Sequence, residues 1–317
     1  FHSSSGHSAW LRGLTMVKVK TKASSGPMRW MDDVEAPVAR GPSEQGNDFD
    51  IRMSEEPDGM LAAKKIVKVI KEKGVCVIQA NAPQQLLVAA SEEAENLWDD
   101  GKFAPPLRIH DERSRMEAQI WQQTLADEEK VVWLRPQDAE ANSKSAAGQT
   151  ALRLLANNMA DFGAGLGTLL KEECGCDYDR HGHSFLSCYT GDRNYHLHLD
   201  NPHLCDVDKE QTRPDNGLRL SAVYFLNPYW DPQADRECGG GLDLYLTNPK
   251  ECPSTAAEAK KADKLRIAPH ADTLLLFLSE RLAHQVVSTK GSQRWMCMQM
   301  WYINGAAMSE MPRKLMA

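Results

Sequence analysis

Beyond residue 180 this chain stops reading as helix. Five apolar runs, at 185–189, 219–226, 241–246, 273–278 and 294–302, are too short for core helices and are divided by segments containing Gly, Pro and Asn. That is the texture of strands and turns. Upstream the spacing differs. Leu61, Ile66, Val67, Val69 and Ile70 lie among lysines and predict an amphipathic helix over 60–73, ended by Gly74. A second helix is predicted over 83–100, stopped by Gly101, and a third over 149–173 with Leu152, Leu155, Met159, Phe162, Leu166 and Leu169 on one face. Short strands are expected at 74–79 and 131–134. Helices followed by many strands predict an α+β or mainly β fold, a β-sandwich or jelly roll buttressed by helices on one side.

The flanks look different again. Residues 1–31 carry Arg12, Lys18, Lys20, Lys22 and Arg29 with no acid, which is compatible with an organelle transit peptide. No apolar stripe is visible, so a disordered tail is the better reading. Residues 32–57 are rich in Asp, Glu, Pro and Gly without periodicity and read as linker. The expected division is therefore tail and linker over 1–57, helical support with short strands over 58–180, a strand-rich domain over 181–304, and a tail over 305–317.

Charge and cysteine usage narrow the field. Lys and Arg number 37 against 44 Asp and Glu, a net charge of −7, so nucleic acid is not expected as a partner. The longest apolar runs fall far short of the ~18 residues that suggest a membrane span. Eight cysteines are scattered without a dense disulfide framework, and Cys174-x-Cys176 is too tight for a metal knuckle. Reduced thiols in a cytoplasm or nucleus are expected.

The chemistry concentrates in the second half. On a strand, His198-Leu-Asp200 points its imidazole and carboxylate to the same face. His284 follows the apolar run 273–278, which would deliver it to the same core. Two imidazoles and one carboxylate make the facial triad of non-haem Fe(II) oxygenases. Arg294 opens another apolar strand, where a charge is costly unless paired. Its guanidinium fork suits a carboxylate, and the 5-carboxylate of 2-oxoglutarate is the expected guest. His181, His183, His203 and His270 lack the spacing of the triad and read as surface residues.

Tyr189-Thr-Gly191, Tyr195-His-Leu-His198-Leu-Asp200-Asn201-Pro202, Val223-Tyr-Phe-Leu-Asn227, Trp230-Asp231, Gly240-Gly241, Ser279-Glu-Arg281, His284-Gln-Val286 and Arg294 with Trp301-Tyr302 occur in order. This set resembles the prolyl 4-hydroxylase class of Fe(II)/2-oxoglutarate-dependent dioxygenases, and most closely the hypoxia-inducible-factor prolyl hydroxylases. The resemblance implies a double-stranded β-helix (jelly-roll) core. It also implies Fe(II), 2-oxoglutarate and O₂, with ascorbate as reductant, and a protein or peptide substrate containing proline. The reaction implied is 4-hydroxylation, yielding succinate and CO₂. His198, Asp200 and His284 match the iron ligands, Arg294 the cosubstrate clamp and Tyr189 a tyrosine of the cosubstrate pocket. Tyr195, Asn201, Phe225 and Trp301 match the substrate lid or pocket.

Several positions depart from that pattern. Phe225 stands where the relatives place a tyrosine that hydrogen-bonds the cosubstrate, and alternation turns Tyr224 the other way while grouping Ser221, Val223 and Phe225 toward the lumen. Met298 replaces a threonine, and Trp301 sits one residue later than expected. Residues 201–219 form a long polar loop with the position of a lid, and 248–264 read as a solvated insertion. Two alternatives stay open on sequence alone: an oxygenase acting on another side chain or a small molecule, and a binding module that senses 2-oxoglutarate or iron without turnover.

Overall fold

A computed structural model describes residues 47–104, 129–134, 150–190, 197–204, 215–230, 239–247, 256–289 and 294–310. The helices lie close to where their spacing places them. α1 (Gly59–Lys73) is capped by the Asp58 side chain, which accepts from the backbone of Met60 and Leu61, and ends on Gly74 at φ 77°. α2 (Gln84–Asp99) and α3 (Ala151–Cys174) follow. Glu93 on α2 accepts hydrogen bonds from the backbone N–H groups of Ala151 and Leu152 at the start of α3. It satisfies orphan donors there and favours the positive end of the helix.

The strands form two sheets. The large one runs β1-β2-β9-β6-β11-β5-β3, built from β1 (Ile51–Arg52), β2 (Val75–Gln79), β3 (Glu129–Trp133), β5 (Phe185–Thr190), β6 (Leu218–Phe225), β9 (Thr273–Leu278) and β11 (Arg294–Ile303). β4 (Arg180–His181) pairs off that path with β11. The small sheet runs β10-β7-β8, from β7 (Leu242–Leu246), β8 (Asp263–Ile267) and β10 (Ala283–Val286). Short helices α4 (Ala256–Ala259) and α5 (Gly305–Glu310) and two 3₁₀ turns, Met53–Glu55 and Pro202–Leu204, complete the described elements. No described helix is long and apolar enough to cross a membrane.

Strand alternation gives the large sheet two apolar faces. One, carrying Leu186, Tyr224, Leu276, Met296, Met298 and Tyr302, packs under the helices against Ile66, Ile70, Leu155, Met159 and Phe162. The other, carrying Val77, Tyr189, Phe225, Phe277 and Trp295, faces Leu242, Leu244, Ile267 and Val286 of the small sheet. The space between the sheets is the jelly-roll lumen.

The structure redraws some expected boundaries. Residues 47–57 are not linker: Ile51 pairs in parallel with Ile78, Asp50 accepts from the Val77 backbone, and Asn47 bonds Ala268 and Thr273. β2 and β3, from the region expected to be helical support, are hydrogen-bonded into the large sheet against β9 and β5. The end of the expected insertion 248–264 opens β8, whose Leu265 and Ile267 are buried. Part of the expected C-terminal tail is helix α5.

Candidate metal centre

The triad is assembled by backbone hydrogen bonds. His198 N–H donates to the His284 carbonyl at 3.0 Å and His284 N–H returns to the His198 carbonyl at 2.9 Å. The two rings are thereby held with centroids 4.2 Å apart. Asp200 follows two residues later, and its Oδ1 lies 3.5 Å from His198 Nε2 and 3.8 Å from His284 Nε2. One ligand atom from each of the three lies within 4.8 Å of the other two. The edge of Phe277 closes on the His284 ring at 4.8 Å between centroids.

Two of the three, His284 and Asp200, are oriented from behind. His284 Nδ1 lies 3.1 Å from the Leu282 carbonyl, which holds the proton on that nitrogen and turns the lone pair of Nε2 toward Asp200. Asp200 Oδ2 accepts from Ser221 Oγ at 2.5 Å and from Trp301 Nε1 at 3.2 Å, which leaves Oδ1 toward the imidazoles. Ser221 is itself 2.7 Å from Ser279 Oγ. Asn216 Nδ2 donates to the Asp200 carbonyl at 2.7 Å.

Electrostatics agree with this assignment. Burial pushes the Asp200 carboxyl up, but His284, His198 and the Ser221 hydrogen bond outweigh it and hold the group well below the usual carboxylate range. Burial, then the neighbouring His198, lowers His284 to about 4 against the pull of Asp200. At neutral pH the site sets the Asp200 anion against a neutral His284 imidazole, with His198 beside them. That donor set fits a divalent transition ion such as Fe(II).

Ser221→Ala tests the support of Asp200. It keeps all three ligands but frees the carboxylate to rotate, and should weaken Mn(II) or Fe(II) binding about tenfold in a metal titration. Unchanged affinity would mean that the Trp301 indole holds Asp200 unaided.

Residues 184–303 match the family model described as the 2OG-Fe(II) oxygenase superfamily. They form a 2OG-Fe(II) oxygenase domain. The chain with this oxygenase domain resembles a Trichoplax adhaerens prolyl hydroxylase solved in complex with a hypoxia-inducible-factor oxygen degradation domain peptide. The TM-score is 0.56 at 19% identity, over 80% of this chain and 96% of that one. A Pseudomonas putida prolyl-4-hydroxylase gives TM-score 0.51 at 17% identity, over 76% of this chain and 98% of that one. At these identities the likeness speaks for the fold. No curated protein matches the chain in sequence.

Within the oxygenase domain the structure brings Trp301 to the triad but not Arg294. Trp301 lies seven positions after Arg294 on β11, an odd step; the pairing with β5 runs unshifted from Arg294 to Gln299, and that with β6 shifts only between Tyr302 and Ile303. They therefore lie on opposite faces of the sheet. Arg294 turns to the helix side, where it pairs with Glu95 and approaches Asp99 at 3.8 Å, over the Trp98 ring. The clamp expected of Arg294 is thus corrected, and the one-residue offset before Trp301 is its cause. Met298 shares the helix-facing side, so Gln299 and Trp295 take the lumen positions instead.

The remaining expected residues separate. Tyr189 and Phe225 face the lumen beside Trp295, with ring centroids 4.5 Å and 5.8 Å from the indole. Asn201 is not a pocket residue. It is fully buried and anchors the loop, donating to Asp215 and to the Leu218 carbonyl. Tyr195 and most of the expected lid, 205–214, lie outside the described residues. His203, expected at the surface, joins Asp215 and Glu280 in a second acidic cluster. Arg219 bridges that pair of carboxylates at 2.6 Å and 3.0 Å. The arginine supplies their counter-charge and ties the base of the loop to the β9–β10 turn.

Sequence reasoning missed Ser279 and Asn216 as supports of Asp200, and Trp295 as a lumen residue. Ser221 had been placed on the lumen face by alternation, without its hydrogen bond.

Proposed function

We propose that this protein is an Fe(II)-dependent dioxygenase that hydroxylates prolyl residues, at the 4-position, of a protein or peptide substrate. The observation that carries the reading is the triad, with its three ligand atoms within 4.8 Å of one another. Bound there, Fe(II) supplies the redox chemistry by which O₂ attacks an unactivated C–H bond.

The residues of this chain have separable tasks. His198, Asp200 and His284 would hold the ion on one side and leave the other open to O₂ and substrate. The Leu282 carbonyl, Ser221 and Trp301 orient the ligands before any ion arrives, so binding needs little rearrangement. Val223, Leu244, Leu275 and Phe277 line an apolar lumen that excludes water from the reacting centre.

A proline-containing peptide as substrate is supported by the fold shared with the Trichoplax enzyme, which was solved with a peptide bound. Ascorbate as reductant belongs to the same proposal. The test is mass spectrometry of a library of proline-containing peptides after incubation with Fe(II)-loaded protein, a 2-oxo acid and O₂. Gain of one oxygen on proline, absent with Asp200→Ala, is the expected result. Oxygen appearing on other side chains alone would replace the prolyl assignment.

A further inference from the structure

The expected cosubstrate, 2-oxoglutarate, carries a second carboxylate that must be received inside the protein. Among the described residues the lumen holds nothing that suits it. Inward from Trp301, the lumen face of β11 reads Gln299, Cys297 and Trp295, none of them charged. The facing positions are Val223 and Phe225 on β6 and Ser187 and Tyr189 on β5. Arg294 points away through the sheet to Glu95 and Asp99, and Arg219 is engaged by Asp215 and Glu280. Among the described residues, a carboxylate buried here would find no cation to make such burial tolerable.

What the lumen does offer is neutral. Trp295 is 1% exposed, and among the described residues its indole Nε1–H has no hydrogen-bond partner. A buried donor left unpaired is uncommon and marks a place where a ligand atom belongs. The ring is packed between Tyr189 and Phe225, so the donor is fixed within an aromatic wall. Gln299 adds an amide whose Nε2 reaches Ser187 Oγ at 2.8 Å. Such a wall suits an apolar or aromatic tail, or one bearing a neutral acceptor, and disfavours an anion.

We infer that the cosubstrate of this chain is a 2-oxo acid with an uncharged tail, seated against Gln299 and Trp295, in place of the dicarboxylate 2-oxoglutarate. The inference rests on the oxygenase reading. The reaction balances for any tail. One atom of O₂ enters the substrate C–H bond as hydroxyl. The other joins the keto carbon, which loses its carboxyl group as CO₂ and becomes a carboxylic acid one carbon shorter.

The test is calorimetric titration of the Mn(II)-loaded protein, which reads binding without turnover, using 2-oxoglutarate, 4-methyl-2-oxopentanoate and phenylpyruvate. One of the two monocarboxylic acids should bind at least about tenfold more tightly than 2-oxoglutarate. Arg294→Met should leave every affinity within about twofold, since the guanidinium lies on the far face of the sheet. Trp295→Arg should shift the preference toward 2-oxoglutarate. If that buried replacement does not fold, the ranking by the unaltered protein decides. Tightest binding of 2-oxoglutarate, or its loss in Arg294→Met, overturns the inference and leaves the oxygenase reading standing. If the protein holds Mn(II) yet binds none of the three acids, both fall together.

Discussion

Asp200→Ala should abolish metal binding and, with it, all turnover. The substitution removes the only anion of the triad and leaves two imidazoles, one of which, His284, is held to a pKa of about 4. Removing a residue that merely supports a ligand costs about 10–100-fold in metal affinity, so deleting the ligand itself should cost more than about 100-fold. It also leaves the hydroxyl of Ser221 and the indole N–H of Trp301 without their shared acceptor. Titration with Mn(II) or Fe(II) measures the loss directly, and circular dichroism shows whether the fold survives it. Retention of stoichiometric metal at unchanged affinity would remove the triad from the chemistry. Asp200→Asn is the finer version. It keeps the shape and deletes the charge, and should fall between the parent and the alanine variant.

Gly163→Val should be the most damaging single change in the helical layer. Gly163 sits mid-way along α3, where the ring of Tyr302 on β11 lies against its Cα and a Cβ would fall inside the ring's van der Waals envelope. The ring has no easy escape. Its hydroxyl donates to the Met159 carbonyl at 2.5 Å, and the neighbouring Tyr178 ring, 5.2 Å away between centroids, donates its hydroxyl to the Gly163 carbonyl at 2.5 Å. Overpacking at such a site costs about 3 kcal/mol or more, a large part of a typical stability of about 5–15 kcal/mol. A urea unfolding curve should show the midpoint displaced accordingly. An unmoved midpoint would mean that α3 can lift from the sheet at little cost.

The meeting of His198, Asp200 and His284 was legible because its signal is local. A histidine and an aspartate two apart share a face on any extended chain, and a third ligand after an apolar strand completes the set. Their supports were not legible in the same way. Ser221 and Ser279 touch across a separation of 58 positions, and a serine in a strand carries no mark of its partner. β8 went unseen because its outward positions, Lys264 and Arg266, give it the composition of a solvated loop. Those two residues pair with the buried Asp243 of β7. Arg294 shows a different limit. Its residue type and neighbourhood suited a carboxylate clamp, but its face is decided by counting from Trp301, and one extra residue reverses the answer. The departure was visible in the sequence; its consequence required knowing that β11 runs without a bulge between the two.

The placement of β2 bears on how this protein can be handled at the bench. The stretch matched by the family model begins at 184, yet β9 takes its outer partner from β2, more than a hundred residues upstream of that point. A clone trimmed to the matched stretch would carry His198, Asp200 and His284 and still be crippled. It would bare the backbone donors and acceptors along one side of β9 and strip the helices from Tyr224, Leu276, Met296 and Met298. An unpaired strand beside an uncovered oily surface is the recipe for inclusion bodies. The minimal soluble unit therefore starts no later than Asn47, where the Asn47 side chain bonds Ala268 and Thr273.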